Sequence, residues 1–241
     1  MKPVVRPRLL LAALGLLLLL AVWLSLALGP VSLPLGETLR AGLRLLGVPL
    51  DGAGLERAEL ILGQIRVPRT LLGLAVGAVL ALTGVSMQGL FRNPLADPGL
   101  VGVSSGAAMG AAFAIVLGAA WGGLPEVLAP YLLSASAFAG GLLVTGLVFR
   151  LGRRAGQTSV AYMLLAGVAL TALSGAVIGL LTYLADDATL RSLTFWNLGS
   201  RNGASYARLW PLLLVAAAVA LSLPRRARAL NALLLGDSEA R

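Results

Sequence analysis

Six apolar runs, each without a charged residue, constrain this chain more than any other feature of its sequence. A helix needs about 20 apolar residues to cross the roughly 30 Å hydrocarbon core of a bilayer. Lipid offers no hydrogen-bond partner, so the backbone of such a run must satisfy itself as a helix. We therefore expect residues 1–241 to form one all-α, polytopic transmembrane helix bundle. Its six predicted spans are Leu9–Leu28, Thr70–Leu90, Leu100–Ala120, Val127–Phe149, Val160–Leu184 and Leu209–Leu223.

Missing residue types exclude several kinds of function. The chain has no Cys and no His, which excludes disulfides, thiol catalysis and Cys/His zinc sites. Its one lysine is Lys2, so it has no phosphate-binding P-loop of its own. The adjacent acids Asp186 and Asp187 have no base or nucleophile beside them. We expect no catalytic residue, no metal site and no cofactor bound by this chain.

The basic residues predict the orientation in the membrane. The net charge is +9, but the arginines cluster at the ends of apolar runs rather than along one face, which argues against nucleic acid as a partner. The short loop Arg150–Arg154 contains no acid, and short basic loops favour the cytoplasmic side. We therefore place both ends in the cytoplasm. The first apolar run exceeds the roughly 7–15 residues of a signal-peptide core, so we expect it to be retained.

The uncharged spans also bear on the source of energy. Proton- or ion-coupled carriers usually hold an ionisable residue within the bilayer, and the six predicted spans contain none. A gradient-driven carrier is therefore disfavoured, and a passive pore or an external energy source remains.

Small residues and one loop segment add local expectations. Helix packing is the expected role of the glycine pairs Gly73/Gly77, Gly102/Gly106, Gly106/Gly110 and Gly175/Gly179. Between the first two spans, a short amphipathic helix is expected around Leu39–Leu46.

Three segments resemble the FecCD-type permeases of ABC importers for iron-siderophores, haem and cobalamin. The first begins at Arg66–Arg69, continues through Gly84–Gln88 and ends with Phe91–Ala107. The second, Leu164–Gly167, looks like the start of the family's fifth helix. The third, Leu230–Arg241, is similar to the start of the cytoplasmic coupling segment on which the ATPase subunit acts.

This resemblance implies a fold, partners and a location. Family members have about ten spans, so this chain would be the first part of a larger bundle and end just after its sixth span. The expected assembly is a homodimer of permeases in lipid, with a separate ATP-binding cassette ATPase that uses the ATP and a periplasmic substrate-binding protein. The expected location is the bacterial inner membrane. The ATPase-coupling residues would be Leu235, Gly236, Asp237, Glu239 and Ala240.

A basic pair begins the second predicted span. Arg66 and Arg69 lie where a helix dipole disfavours cations. Anchoring to lipid headgroups is one interpretation. The family resemblance implies another, a basic socket for acidic residues of the binding protein.

The resemblance also indicates a pathway and a gate. Asn93 and Pro94 interrupt the helical pattern and form at least a tight turn, which in the family lies beside the transport pathway. Thr158 and Ser159 match the region of the cytoplasmic gate, with a helix N-cap as the alternative. The segment Leu230–Leu235 predicts a short amphipathic helix, which either docks into the ATPase or lies at the membrane interface.

The external stretch Tyr183–Ser200 looks most like the haem-transporting branch and departs from it at Arg201-Asn202. There, Arg191 would face the outer mouth and attract haem propionates; pairing with Asp186 or Asp187 is the alternative. An iron-siderophore or cobalamin permease of the same family is the runner-up function.

Overall fold

The computed structural model describes residues 7–52, 54–120, 129–154, 157–199 and 203–235, and these are overwhelmingly helical. Two single turns of other helix types are present, a π-helical turn at Leu62–Arg66 and a 3-10 turn at Pro98–Val101. Two short strands, β1 (Arg153–Arg154) and β2 (Gln157–Thr158), form one hairpin. The all-α prediction is confirmed. The helices are α1 (Pro7–Ala27), α2 (Leu35–Leu45), α3 (Leu55–Ile61), α4 (Val67–Phe91), α5 (Val103–Ala120), α6 (Ala129–Gly152), α7 (Val160–Leu184), α8 (Asp187–Asn197) and α9 (Tyr206–Leu235).

Within the described ranges, five helical segments are long and apolar enough to cross a membrane, against six predicted. The third predicted span, Leu100–Ala120, begins instead in the 3-10 turn, which ends at Gly102 with φ +74°. Because that left-handed residue interrupts the helix, the apolar part of α5 covers only Val103–Ala119. The five segments are Pro7–Ala27, Leu55–Phe91, Tyr131–Gly152, Val160–Leu184 and Tyr206–Arg228.

The end of the described chain also differs from expectation. The sixth predicted span and the separate helix at Leu230–Leu235 form one helix, α9, which continues through Pro224. A proline removes one backbone donor from a helix, here the one that would bond the carbonyl of Ala220. On the next carbonyl along the helix, that of Leu221, the guanidinium of Arg225 donates a hydrogen bond at 3.0 Å.

The segments between spans are more helical than the sequence predicted. The amphipathic helix expected around Leu39–Leu46 is present as α2, shifted towards the N-terminus. Neither α3 nor α8 was predicted. Both are short and have mixed polarity, so they give no long apolar run to detect.

The chain divides into two compact units, each with its own apolar clusters. Unit 1 consists of Met1–Gly77 with Arg201–Leu214, and unit 2 of Ala78–Ser200 with Val215–Arg241. In unit 1, α2 packs on α3 through a cluster of Ala41, Leu55, Ala58 and Leu62. An ion pair between Arg44 and Glu59, 3.2 Å, joins the same two helices at the surface.

Arg66 holds the end of α1 within unit 1. Its side chain is 5% exposed and donates hydrogen bonds to the carbonyls of Leu26 (2.7 Å), Ala27 (2.7 Å) and Val31 (2.5 Å). The last carbonyls of a helix lack intrahelical donors and carry partial negative charge, so a guanidinium suits them. Gly29 gives the guanidinium room, since an added Cβ would lie 3.1 Å from its Nε. Arg66 is thus the C-terminal cap of α1.

Close helix contact defines unit 2. Gly106 and Gly110 of α5 face Gly140 and Ser136 of α6, and a Cβ added to Gly110 would overlap the carbonyl of Ser136. These glycines therefore let the two backbones touch, as membrane helices with small residues do. The packing role predicted for the Gly106/Gly110 pair is confirmed. Gly175 and Gly179, by contrast, have no atom within 4 Å of an added Cβ.

We predict that Gly110→Ala destabilises the protein and that Gly179→Ala does not. The new methyl at residue 110 must separate two backbones, an overpacking that typically costs about 1–3 kcal/mol. The methyl at residue 179 enters open space, and alanine is the better helix former by up to about 1 kcal/mol. Thermal unfolding in detergent measures both. Equal unfolding temperatures for the two variants would contradict the contact between α5 and α6.

We predict that Arg66→Ala lowers stability, because two carbonyls at the end of α1 and that of Val31 in the following segment lose their donor. Hydrogen bonds to a charged group are each worth about 1.5–3 kcal/mol, so the loss should be of that order or larger. The matched control is Arg57→Ala, an exposed arginine on α3, expected within about 0.5 kcal/mol of the wild type. Unchanged stability with weaker binding of a partner protein would instead favour the docking socket.

Candidate functional site

A tight turn follows α4. Arg92 has φ +52°, which ends the helix, and Asn93 Oδ1 then accepts a hydrogen bond from the Leu95 amide at 2.9 Å. Four residues later, Asp97 Oδ1 accepts from the Gly99 amide at 2.7 Å and caps the 3-10 turn. Asparagine and aspartate favour such turns because their side chains bond the backbone two residues on. The turn predicted at Asn93-Pro94 is present.

This turn packs on the first half of α7. Phe91 and Val101 are buried together with Met163 and Ala166 of α7. A Cβ on Gly167 would overlap the carbonyl of Leu100, so only glycine fits this approach. Two of the segments that carry the family resemblance, residues 91–107 and 164–167, are therefore in contact.

A cavity of about 550 Å³ lies between the end of α4 and the second half of α9, within unit 2. Its walls are mainly apolar, with a few polar side chains: Gln88, Arg92, Asn93 and Asn231. Apolar walls with a small number of polar groups are typical of sites that bind organic ligands. Two of the four residues predicted for the pathway and gate, Asn93 and Pro94, line this cavity. Their part in transport stays a prediction.

The sequence did not identify the other wall of this cavity. Leu223, Pro224 and Asn231 of α9 line it, although more than 120 residues separate them from Asn93. Asn231 is a polar residue in a mainly apolar stretch, which is the one signal that could have marked it. Only the fold places α9 beside the turn.

The predicted gate residues lie elsewhere. Thr158 is exposed and pairs with Arg153 in the hairpin between α6 and α7. Ser159 occupies the N-cap position of α7, yet its side chain makes no capping hydrogen bond. Its amide donates to the carbonyl of Gly152 at 2.9 Å. Neither residue lines the cavity at Asn93, and their gating role stays a prediction.

The structure bears directly on the docking socket predicted at Arg66 and Arg69. Arg66 is buried as the cap of α1, so its guanidinium is not presented at the surface. Arg69, one turn further along α4, is half-buried. The structure therefore does not support Arg66 as part of the socket, because its guanidinium already donates to carbonyls at the end of α1. Headgroup anchoring by Arg66 fails for the same reason.

Arg191 stays exposed on α8. The helix packs on α5 through Leu193, which is buried with Ala112 and Leu181. Among the described residues, no ion pair joins Arg191 to Asp186 or Asp187, so the alternative that it is neutralised by them is not supported.

Asp186 has a separate role as the N-cap of α8. One carboxylate oxygen accepts from the Thr189 amide at 2.9 Å. Hydrogen bonds from the side chain and backbone of Thr189 lower the pKa of Asp186 below its ordinary value, because they favour the charged form. The cap therefore persists above the ordinary carboxylate pKa and is lost as the pH falls through the lowered one.

The predicted coupling residues fall at the edge of the described chain. Leu235 is the last residue of α9. Gly236, Asp237, Glu239 and Ala240 lie outside the described residues.

Comparison with known proteins identifies relatives of this chain. It is 47% identical over 183 residues to the hemin transport system permease protein HmuU of Yersinia pestis, covering 73% of this chain and 52% of the relative. It is 38% identical over 231 residues to the vitamin B12 import system permease protein BtuC of Salmonella paratyphi A, covering 96% of this chain and 64% of the relative. The chain thus spans between half and two thirds of the length of these relatives.

The fold has a solved counterpart. A structure of a metal-chelate type ABC transporter in an inward-facing conformation matches 96% of this chain and 66% of its own, with a TM-score of 0.72 and 33% identity. The model of the FecCD transport family matches residues 17–241, nearly the whole chain. The resemblance noted at Arg66–Arg241 is confirmed and extends towards the N-terminus: this chain belongs to the FecCD transport family.

Proposed function

We propose that this protein is the membrane permease subunit of an ATP-driven importer that moves haem across the bacterial inner membrane. Two copies would form the pathway, two ATP-binding subunits would drive it, and a periplasmic binding protein would deliver the substrate. The observation that carries the proposal is the family match over residues 17–241, together with 47% identity to a hemin permease. The chain itself hydrolyses no ATP.

The course of α9 supports coupling to an ATPase. The helix is continuous from Tyr206 to Leu235, so the spanning segment and the first part of the coupling segment form one rod. A continuous helix transmits a displacement along its length better than two helices joined by a loop. The wall of the cavity at Asn93 is part of this rod. Movement of the coupling segment would therefore change the cavity, as alternating access requires.

The case for haem rests on charge and on residue types. Arg191 is exposed without an ion pair to its neighbouring acids, so its charge can attract propionates. The chain has no His, so haem would be held by apolar walls, Tyr or Met rather than by His ligation. Such weak holding suits a conduit that must release its substrate.

Cobalamin is the second candidate. The vitamin B12 permease covers 96% of this chain, whereas the hemin permease covers 73% at higher identity. The solved neighbour, a metal-chelate transporter, is compatible with either substrate and with an iron-siderophore. Uptake assays with the three ligands in membrane vesicles distinguish them.

We predict that uptake stops on ATP depletion and persists with an uncoupler. The ATPase should co-purify with the wild-type protein, and the paired changes Gly236→Pro and Glu239→Ala should abolish co-purification. Ser238→Ala, in the same segment, is the matched control and should retain it. Uptake that survives ATP depletion but not the uncoupler would favour a gradient-driven carrier. If the double variant kept its ATPase, the assignment of Gly236 and Glu239 as coupling residues would be contradicted, but the importer function would not.

We predict that Arg191→Glu raises the KM for haem uptake by a factor of about 1.4 to 5, which corresponds to the roughly 0.2–1 kcal/mol typical of exposed charge pairs. Arg191→Lys keeps the charge and should retain most of the uptake. Uptake of haem dimethyl ester, which lacks free carboxylates, should change little in either variant. An effect of Arg191→Glu that is the same for the ester and for haem would overturn the propionate contact.

A further inference from the structure

Unit 1 contains an apolar groove between α1, α2 and the start of α9. Its volume is about 560 Å³, within the roughly 300–1,000 Å³ range of small-molecule sites. Its lining residues include Trp23 and Leu26 of α1, Leu39 and Leu43 of α2, and Tyr206 of α9. None of the described residues that line it carries a charge.

Most of the polar side chains in the groove wall donate hydrogen bonds within the protein. The Thr38 hydroxyl donates to the carbonyl of Pro34 at 3.3 Å, and the Tyr206 hydroxyl donates to the carbonyl of Gly63 at 2.8 Å. The remaining side-chain donor is the indole of Trp23, which is 45% exposed. A substrate with several charged or polar groups would find no partners here, so the groove suits a hydrocarbon chain.

The polarity of the two sides of α2 indicates whether the groove faces lipid or water. Leu35, Leu39 and Leu43 repeat every four residues on the groove side, and Leu39 is 57% exposed. Glu37 lies on the opposite side, and Arg40, about 100° round the helix from Leu39, lies on its flank. A helix with exposed leucines on one face and charges on the other lies in the plane of the membrane interface. The groove therefore opens towards acyl chains and not towards water.

We propose that this groove binds one acyl chain of a membrane phospholipid. Trp23 lines the groove and is 45% exposed, so its indole N–H can donate to an ester carbonyl, as aromatic residues do at membrane interfaces. Arg40 is exposed on the flank of α2 and complements the phosphate of the same lipid. The bound lipid would fill the space between α1 and α2. This site is independent of the transported substrate and of the proposed function.

Native mass spectrometry of the protein extracted in mild detergent tests the site. Gly42 lines the groove, and Gly42→Phe would fill it. Gly36 is exposed on the same helix and outside the groove, so Gly36→Phe is the matched control. We expect one retained phospholipid in the wild type and the control, with occupancy at least tenfold lower in Gly42→Phe. Absence of retained lipid in the wild type, or equal retention in all three, would overturn the proposal.

A second measurement decides the question even where Gly42→Phe does not fold. The chain has no Cys, so Leu39→Cys and Arg40→Cys each give a single site for a nitroxide label. In bilayers, the label at residue 39 should be more accessible to oxygen than to a water-soluble nickel chelate, and the label at residue 40 the reverse. Chelate access at residue 39 would show a water-filled groove. Low access to both would show a protein partner instead of lipid, and either result rejects the site.

Discussion

The absence of water as a hydrogen-bond partner in hydrocarbon governs this structure. Each main-chain group must find its partner inside the protein, and helices achieve this within one segment. Polar side chains in the spans follow the same rule. The hydroxyls of Thr83, Ser86 and Thr182 each donate to the carbonyl four residues before, at 2.7–2.8 Å. Where α1 ends, its carbonyls need an external donor, and the guanidinium of Arg66 supplies it.

Contact between helices follows from the same solvent. Lipid tails are as apolar as leucine, so burial of apolar side chains gives little drive for helices to associate, and close backbone contact contributes more. Gly106, Gly110 and Gly140 allow that contact between α5 and α6. Gly167 does the same between α7 and the turn at Leu100. Glycine, a poor helix former in water, is here a packing residue.

The segments that carry the family resemblance depend on this close packing. The turn after α4 keeps its shape through its own Asn93 and Asp97 side chains and is held in place by α7. Asn93 and Pro94 of this turn line the cavity that α9 also borders. Segments that resemble the FecCD permeases at separate places in the sequence are thus joined in one region, beside α9, which leads to the segment proposed to couple to an ATPase. A long helix next to a cavity wall is a suitable element for transmitting movement.

Much of the fold was predictable because membrane helices have a simple signature. Apolar runs located α1, α4, α6, α7 and the main part of α9 to within several residues, since the cost of an exposed backbone group in lipid leaves no alternative. The start of α5 was less predictable, because Gly102 adopts a left-handed conformation that the apolar run does not reveal. The candidate site was half predictable: Asn93 and Pro94 break a visible helical pattern, whereas nothing in the sequence indicates that Pro224 and Asn231 of α9 lie beside them.

By itself, the sequence determined that this is an all-helical membrane protein, where most of its spans lie and which family it resembles. Tertiary structure decided that Arg66 is a cap and not a surface socket, that Arg191 remains without an ion pair to its neighbouring acids, and that α9 borders the turn at Asn93. The physical reason is the range of the interactions. Hydropathy and helix formation are local properties, while the partners of Arg66 lie 35–40 residues away and can be identified only after the helices have packed.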